Sequence, residues 1–124
     1  MAKKAAMVFG VIFVLIGLLG FVNNPVLGIF AVNMLHNIVH ILLGAILLMA
    51  SKGDGASKAL KWVAIIYLIV ALIGFFVSGP VLGLIEVNSA DNWLHLVLAI
   101  ILFGVSKQSG MSGNTMQGGS NGMM

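Results

Sequence analysis

Four long apolar segments dominate the hydrophobic pattern of this chain, and short stretches richer in polar residues and glycine separate them. The segments run over residues 5–22, 34–50, 62–77 and 93–105. The first and third contain long runs that are apolar at every position, which excludes the alternating pattern of a membrane β-strand and predicts helices. Because a bilayer core requires roughly 17 to 25 helical residues, we expect an all-α membrane protein with four transmembrane helices, the last two extended at their ends.

The composition excludes a soluble globular fold. Of the 124 residues, 60% are hydrophobic and only 7% are charged, whereas soluble domains contain about 25% charged residues. The lipid bilayer is therefore the expected partner. The pI of about 9.6 does not indicate nucleic-acid binding, because it rests on six lysines that flank the apolar segments. The absence of cysteine excludes disulfides, thiolate metal sites and thiol nucleophiles.

The positions of the lysines predict the orientation of the chain. Lys3 and Lys4 precede the first segment, three more lysines lie between the second and third segments, and Lys107 follows the fourth. The other two connections contain no lysine. The positive-inside rule therefore predicts that both termini and the central connection are cytoplasmic, with residues 1–6 as an N-terminal tail and residues 7–106 as the transmembrane domain.

The sequence repeats itself after 55 positions. Pro-Val-Leu-Gly at residues 25–28 returns at residues 80–83, and the matching continues without a gap through residue 52. We therefore expect two tandem helix pairs, about residues 8–52 and 62–107, with equivalent residues at the same depth in the membrane. Two helices in each copy preserve the orientation of the chain, so the copies are parallel repeats related by an axis along the membrane normal.

Each predicted repeat carries a polar set at the start of its second helix. Asparagine precedes each of these helices and suits the N-cap position, where its side chain accepts a backbone N–H. Residues four apart in each set share a helix face. The complete polar set comprises Asn33, His36, Asn37, His40, Asn88, Asp91, Asn92 and His95.

Two interpretations of this polar set are open. Three histidines and one carboxylate at one depth match the ligands of zinc, copper or iron, and His40 with His95 alone could be the two axial ligands of haem. Alternatively, the set caps helices and forms hydrogen bonds across the helix interfaces. The candidate metal ligands are His36, His40, Asp91 and His95, and the asparagines of the structural interpretation are Asn33, Asn37, Asn88 and Asn92.

The remaining polar residues predict no catalytic site. The chain contains no GxSxG, P-loop or HExxH motif, which favours a non-enzymatic protein. Glu86 has apolar Ala31 as its repeat partner and is interpreted as an interfacial surface charge. Tyr67 is expected near the side of the membrane opposite the histidines, so we predict no continuous proton path. Residues 108–124, rich in glycine, serine, asparagine and methionine, are predicted to be disordered, and their thioethers could bind Cu(I).

Two motifs carry a resemblance to a known family. Val-Asn-x-x-His-Asn-x-x-His at residues 32–40 and Val-Asn-x-x-Asp-Asn-Trp-Leu-His-Leu at residues 87–96 resemble a family of small four-span prokaryotic membrane proteins described as a domain of unknown function. The resemblance covers about residues 8–106. It implies a location in the prokaryotic plasma membrane and carries over no activity, substrate or site residue.

Two functional hypotheses follow from the sequence. The first is a non-enzymatic membrane component, such as a small subunit with a membrane-protein partner or a homo-oligomer. The second is a metal- or haem-binding redox or transport protein that uses the histidines and Asp91.

Overall fold

The computed structural model describes the backbone of residues 1–123 and the side chains of residues 1–107. Over this range the chain forms four helices and no strand, which confirms the predicted all-α fold. The prediction of disorder for residues 108–124 lies outside the residues whose side chains are described. The helices are α1 (Ala2–Gly20), α2 (Met34–Ala50), α3 (Ala56–Phe76) and α4 (Ser89–Met123).

Three of these helices are long and apolar enough to cross a membrane. They are α1, α3 and the part of α4 between Ser89 and Lys107, with mean hydropathies of 2.1, 2.3 and 1.4. The remaining helix, α2, is equally apolar in character but shorter, at 17 residues. The length and composition of the helices therefore fit a membrane protein.

Some helices are longer than the apolar segments that predicted them, because the polar residues beside a segment can still adopt a helix. Helix α2 coincides with the apolar segment 34–50. Helix α3 begins at Ala56, six residues before its segment. The intervening residues are alanine, serine, lysine and leucine, which are compatible with a helix, so the helix extends beyond the apolar stretch. Hydropathy marks only the apolar part of the helix, whereas the helix itself extends back to Gly55, a residue that disfavours helix.

The helices pack as two close pairs. Helix α1 packs mainly against α2, and α3 packs mainly against α4. The buried residues of α1 lie alternately four and three positions apart along the chain. This spacing is typical of helices that pack with a small left-handed crossing angle. These buried residues are Ala6, Gly10, Phe13, Gly17 and Gly20. The same spacing recurs on the other helices, so one buried stripe per helix forms the shared core.

Glycines allow α1 and α2 to approach closely. A Cβ atom placed on Gly44 would lie 2.7 Å from the carbonyl oxygen of Gly10 and 2.8 Å from the backbone nitrogen of Val14. Neither backbone atom can move without moving its helix. The packing role predicted for the small residues is thus visible at this crossing, where only glycine fits between the helices.

The Pro-Val-Leu-Gly turns of the two outer connections match in the backbone conformation of their last two residues. In each Pro-Val-Leu-Gly turn, leucine and glycine both have positive φ, which is the geometry of a type I′ turn. Leucine is unusual there, because its Cβ disfavours the left-handed region. The φ values are 55° for Leu27, 73° for Gly28, 56° for Leu82 and 72° for Gly83. The leucine and glycine of the two turns, which lie 55 positions apart, therefore share local geometry, while the origin of the turns in a tandem duplication stays a prediction.

Candidate metal centre

The structure brings together histidines from two different helices. His36 and His40 lie on α2, one turn apart, and His95 lies on α4. One ring nitrogen from each of the three lies within 4.8 Å of the other two. All three side chains are buried, with 2% to 6% of their surface exposed. The sequence placed His36 and His40 on one face but left open whether His95 joins them, and in the structure it does.

The ring of His36 is held in a defined orientation. Its Nδ1 lies 2.8 Å from the backbone carbonyl oxygen of Glu86, which belongs to the connection between α3 and α4. A carbonyl oxygen only accepts, so Nδ1 carries the hydrogen and donates it. In the neutral ring, the lone pair is then on Nε2. His36 therefore makes the supporting hydrogen bond that metal-binding histidines usually make through their other ring nitrogen.

Aromatic rings enclose the histidines. The ring of Tyr67 stacks on His95, with centroids 5.1 Å apart and an interplanar angle of 26°. Phe13 meets both Tyr67 and His40 edge to face, at 5.3 and 5.9 Å. Phe13, from α1, and Tyr67, from α3, thus close the site on the sides that α2 and α4 leave open.

The position predicted for Tyr67 was wrong. The side chain lies against His95 instead of near the opposite side of the membrane. Helix rise explains the error: Tyr67 precedes Phe76, the end of α3, by about 13 Å, and His95 follows Ser89, the start of α4, by about 9 Å, so the two rings have similar depths. The early start of α3 places Tyr67 near the middle of its helix.

Asp91 lines the same cavity as the histidines, but one of its oxygens has a structural role. Its Oδ2 accepts a hydrogen bond from the backbone N–H of Asn88 at 2.9 Å, while Asn88 Oδ1 accepts one from the N–H of Asp91 at 2.9 Å. This reciprocal pair is a capping box at the start of α4. The group whose ligand atoms converge within 4.8 Å consists of the three histidines.

Asn33 and Asn88 cap their helices and also join the two halves of the molecule. Asn33 Oδ1 accepts the N–H of His36 at 2.9 Å, as an N-cap should. Its Nδ2 donates to the carbonyl oxygen of Leu84 at 2.9 Å, and Nδ2 of Asn88 donates to that of Ile29 at 2.7 Å. The two bonds are mutually equivalent, because Leu84 and Ile29 also lie 55 positions apart. The N-cap roles predicted for both asparagines are present in the structure.

Substitutions of Asn33 separate these two roles. Asn33→Ala removes the cap and the bond to Leu84, and we expect it to lower the free energy of unfolding by about 2 kcal/mol. Asn33→Ser keeps a capping oxygen without adding charge and loses the amide donor, so we expect a loss of about 1 kcal/mol. Unfolding in mixed detergent micelles, followed by circular dichroism, measures both. An Asn33→Ser protein as stable as the unsubstituted one would show that the bond to Leu84 contributes nothing.

Asn37 and Asn92 pack against the partner helix of each pair. The amide of Asn37 lies directly over Gly20 on α1, where a Cβ atom would overlap its oxygen. Asn92 lies over Gly74 on α3 in the same way. Both asparagines are buried, with 3% and 6% of their surface exposed. Oδ1 of each has no hydrogen-bond partner among the described residues, so their contacts are packing contacts and not the hydrogen bonds that the structural interpretation of the polar set expects.

Several buried polar atoms at the site have no hydrogen-bond partner among the described residues. They include Nδ1 of both His40 and His95 and the hydroxyl of Tyr67. A buried polar atom without a partner is unfavourable, and in native structures most such atoms are satisfied by protein, water or an ion. Two histidines therefore present unsatisfied nitrogens beside a third whose orientation is already fixed.

Two small cavities adjoin the histidines. One has a volume of about 30 Å³, and the other has a volume of about 70 Å³ and is also lined by Phe13 and Asp91. These volumes accommodate an ion or one or two water molecules. They are far below the roughly 300–1,000 Å³ of pockets that enclose larger organic ligands. A porphyrin would require Phe13 and Tyr67 to move out of the core.

The described helices define the class of this protein: an all-α fold whose apolar helices fit a membrane. A family model described as "Domain of unknown function (DUF4383)" matches residues 3–107, and the chain belongs to that family. The predicted membership of an uncharacterised family is thus confirmed. No curated protein and no solved structure matches the chain.

Proposed function

We propose that this protein is a metal-binding membrane protein, with a transition-metal ion held by His36, His40 and His95. The observation that carries the proposal is the convergence of three buried histidine nitrogens from two helices within 4.8 Å. Imidazole nitrogen is a good ligand for zinc, copper, iron and nickel. Of the two functions that the sequence leaves open, the geometry favours the metal-binding one.

The environment of the histidines supports a bound ion over a set of structural hydrogen bonds. A structural role would pair the ring nitrogens with protein donors or acceptors, yet Nδ1 of His40 and of His95 has no partner among the described residues. Within a membrane, water is scarce and an unpaired polar group costs several kcal/mol. An ion or its bound water in the adjoining cavities would give these nitrogens a partner and remove that cost.

The same geometry favours a metal ion over haem. The cavities beside His40 and His95 measure about 30 and 70 Å³, which suits an ion with its ligands. Helix packing against Phe13 and Tyr67 leaves no slot for a flat macrocycle between the two imidazoles. The donor set is also complete without haem, because His36 contributes a third nitrogen that a porphyrin with two axial ligands would not use.

The orientation predicted from the lysines places this centre within the membrane domain, toward its outer face. The starts of α2 and α4, which carry the histidines, lie at the end of the bundle opposite Lys3, Lys4 and Lys107. We infer that both termini are cytoplasmic and that the membrane is a prokaryotic plasma membrane. A reporter fused after Met124 that is active only outside the cell would contradict this orientation.

Elemental analysis tests the metal centre directly. The protein is purified in mild detergent, without a metal-binding tag or chelator, and its iron, zinc, copper and nickel contents are measured. It is then incubated with each metal and desalted. We expect close to one metal ion per folded chain after incubation. A content below about one tenth of an ion per chain for every metal, in protein that circular dichroism shows to be helical, would contradict the proposal.

A further inference from the structure

The donor atoms of the centre are electrically neutral. Nδ1 of His36 donates to the carbonyl of Glu86 at 2.8 Å, so this ring has its lone pair on Nε2 and needs no charge to bind a metal. A histidine must be neutral at the nitrogen that it presents to a metal. The converging group contains no carboxylate, so its three imidazoles leave the charge of the ion unchanged.

The surroundings can balance only a small positive charge. Asp91 is 2% exposed and lines the larger cavity with all three histidines, which places one carboxylate beside the ion. Among the described side chains, Glu86 is exposed, and the lysines lie at the far ends of the helices. One carboxylate neutralises one positive charge, so a divalent ion would leave a net charge in the core.

Burial makes this difference in charge decisive. The cost of transferring an ion from water into a medium of low dielectric constant rises with the square of its charge, so a monovalent ion costs about a quarter as much as a divalent ion of equal size. Apart from the three histidines and Tyr67, the smaller cavity is lined by aliphatic side chains, including Leu43, Ile66 and Val70. Such a wall offers little polar compensation for a doubly charged ion.

Tyr67 does not supply the missing anionic ligand. A metal bound to an imidazole lies in the plane of that ring, whereas the Tyr67 ring is stacked on His95 at 26°, with centroids 5.1 Å apart. Stacking holds the phenol oxygen off the plane of His95. Three imidazoles complete the coordination of monovalent copper, whereas zinc beside the same three imidazoles would take a water molecule as its fourth ligand. The protein ligands alone therefore satisfy Cu(I) but not Zn(II).

From these observations we infer that the ion is Cu(I), held by three neutral imidazoles with Asp91 as the balancing charge. The inference rests on the proposed metal centre and names its ion. Of the metals that imidazole binds well, copper is the one with a stable monovalent state. The protein is accordingly a binder of reduced copper within the membrane domain, and Tyr67 and Phe13 form the wall that excludes water from it.

Anaerobic competition titrations test this inference on the full-length protein in detergent. Cu(I) is titrated against bicinchoninate, and Zn(II) and Co(II) are titrated separately against chelators of known affinity. We expect one Cu(I) per chain, bound at least 100-fold more tightly than Zn(II) or Co(II), and X-ray absorption with three nitrogen ligands. Zinc or cobalt binding of equal or greater affinity would overturn the Cu(I) assignment and leave the metal centre intact. Failure to bind any of these ions would overturn the Cu(I) assignment, and failure to bind iron and nickel as well would overturn the metal centre.

Two variants locate the copper. His95→Ala should lose Cu(I) from the site, and its retention at full affinity would overturn the inference by assigning the ion elsewhere, including the methionines after Lys107. Tyr67→Phe should bind Cu(I) within threefold of the unsubstituted protein. A loss of 100-fold or more in Tyr67→Phe would show the phenol to be a ligand and would overturn the three-imidazole assignment.

Discussion

His40→Ala and His95→Ala each lower the affinity for the bound metal ion by more than about 100-fold, the largest functional effect that we expect. Each variant leaves two imidazoles in place of three, and removing even a partner outside the ligand set typically costs 10- to 100-fold in affinity. The two substitutions remove equivalent residues from α2 and α4, one from each half of the chain. Metal titration of the purified variants measures the loss.

Thermal unfolding provides a second measurement of the same effect. An ion that binds only the folded protein raises the free energy of unfolding, by about 4 kcal/mol at 1,000 times its dissociation constant. The unsubstituted protein should therefore melt at a higher temperature when metal is added. His40→Ala and His95→Ala should show no such increase. If both retain it, the histidines are structural and the metal lies elsewhere.

Leu47→Val is the matched control for the His40 variant. Leu47 lies on α2, two turns beyond His40, and its side chain is fully buried in the core. Removing one methylene there should cost about 1 kcal/mol of stability. Its metal affinity should stay within threefold of the unsubstituted protein. A loss of metal binding by Leu47→Val would mean that general loosening of the core, not loss of a ligand, explains the histidine variants.

The fold was predictable because each helix contains one continuous apolar segment. The sequence predicted the number of helices, and residues 34–50 match α2 at both ends. The start of α3 at Ala56 was not predicted, because a helix continues into polar residues that have no breaker. Hydropathy therefore locates the apolar part of a helix better than its ends.

The candidate site was predictable only where local spacing determines it. The four-residue spacing of His36 and His40 places both on one face of α2, and Asn88 with Asp91 has the spacing of a capping box. The approach of His95 depends on how α4 packs, which no local pattern specifies. The stacking of Tyr67 on His95 was missed for the same reason. One feature of the sequence did indicate the position of Tyr67. The repeat pairs Tyr67 with Phe13, which places both rings at the same depth.

The two helix pairs pack in a similar way but have different small residues at equivalent positions. This difference predicts the effect of substituting Gly44. Gly44 on α2 corresponds to Ala99 on α4 in the 55-residue repeat. A Cβ atom is thus accepted in one helix pair. In the other pair the backbones of α1 and α2 are too close to admit it, because a Cβ atom on Gly44 would lie 2.7 Å from the carbonyl oxygen of Gly10.

Gly44→Ala is therefore expected to destabilise the protein by about 1–3 kcal/mol, although alanine is the better helix former. The added methyl group meets backbone atoms of Gly10 and Val14, so α1 and α2 must separate along their length. Gly104→Ala, on α4, is the matched control: a Cβ atom there meets nothing within 4 Å, and we expect a gain of up to about 1 kcal/mol from helix propensity. Unfolding of both variants in mixed detergent micelles measures the difference. If both variants change the free energy of unfolding equally and with the same sign, the close contact between α1 and α2 does not require glycine at position 44. Changes of opposite sign would identify that contact as the reason for glycine there.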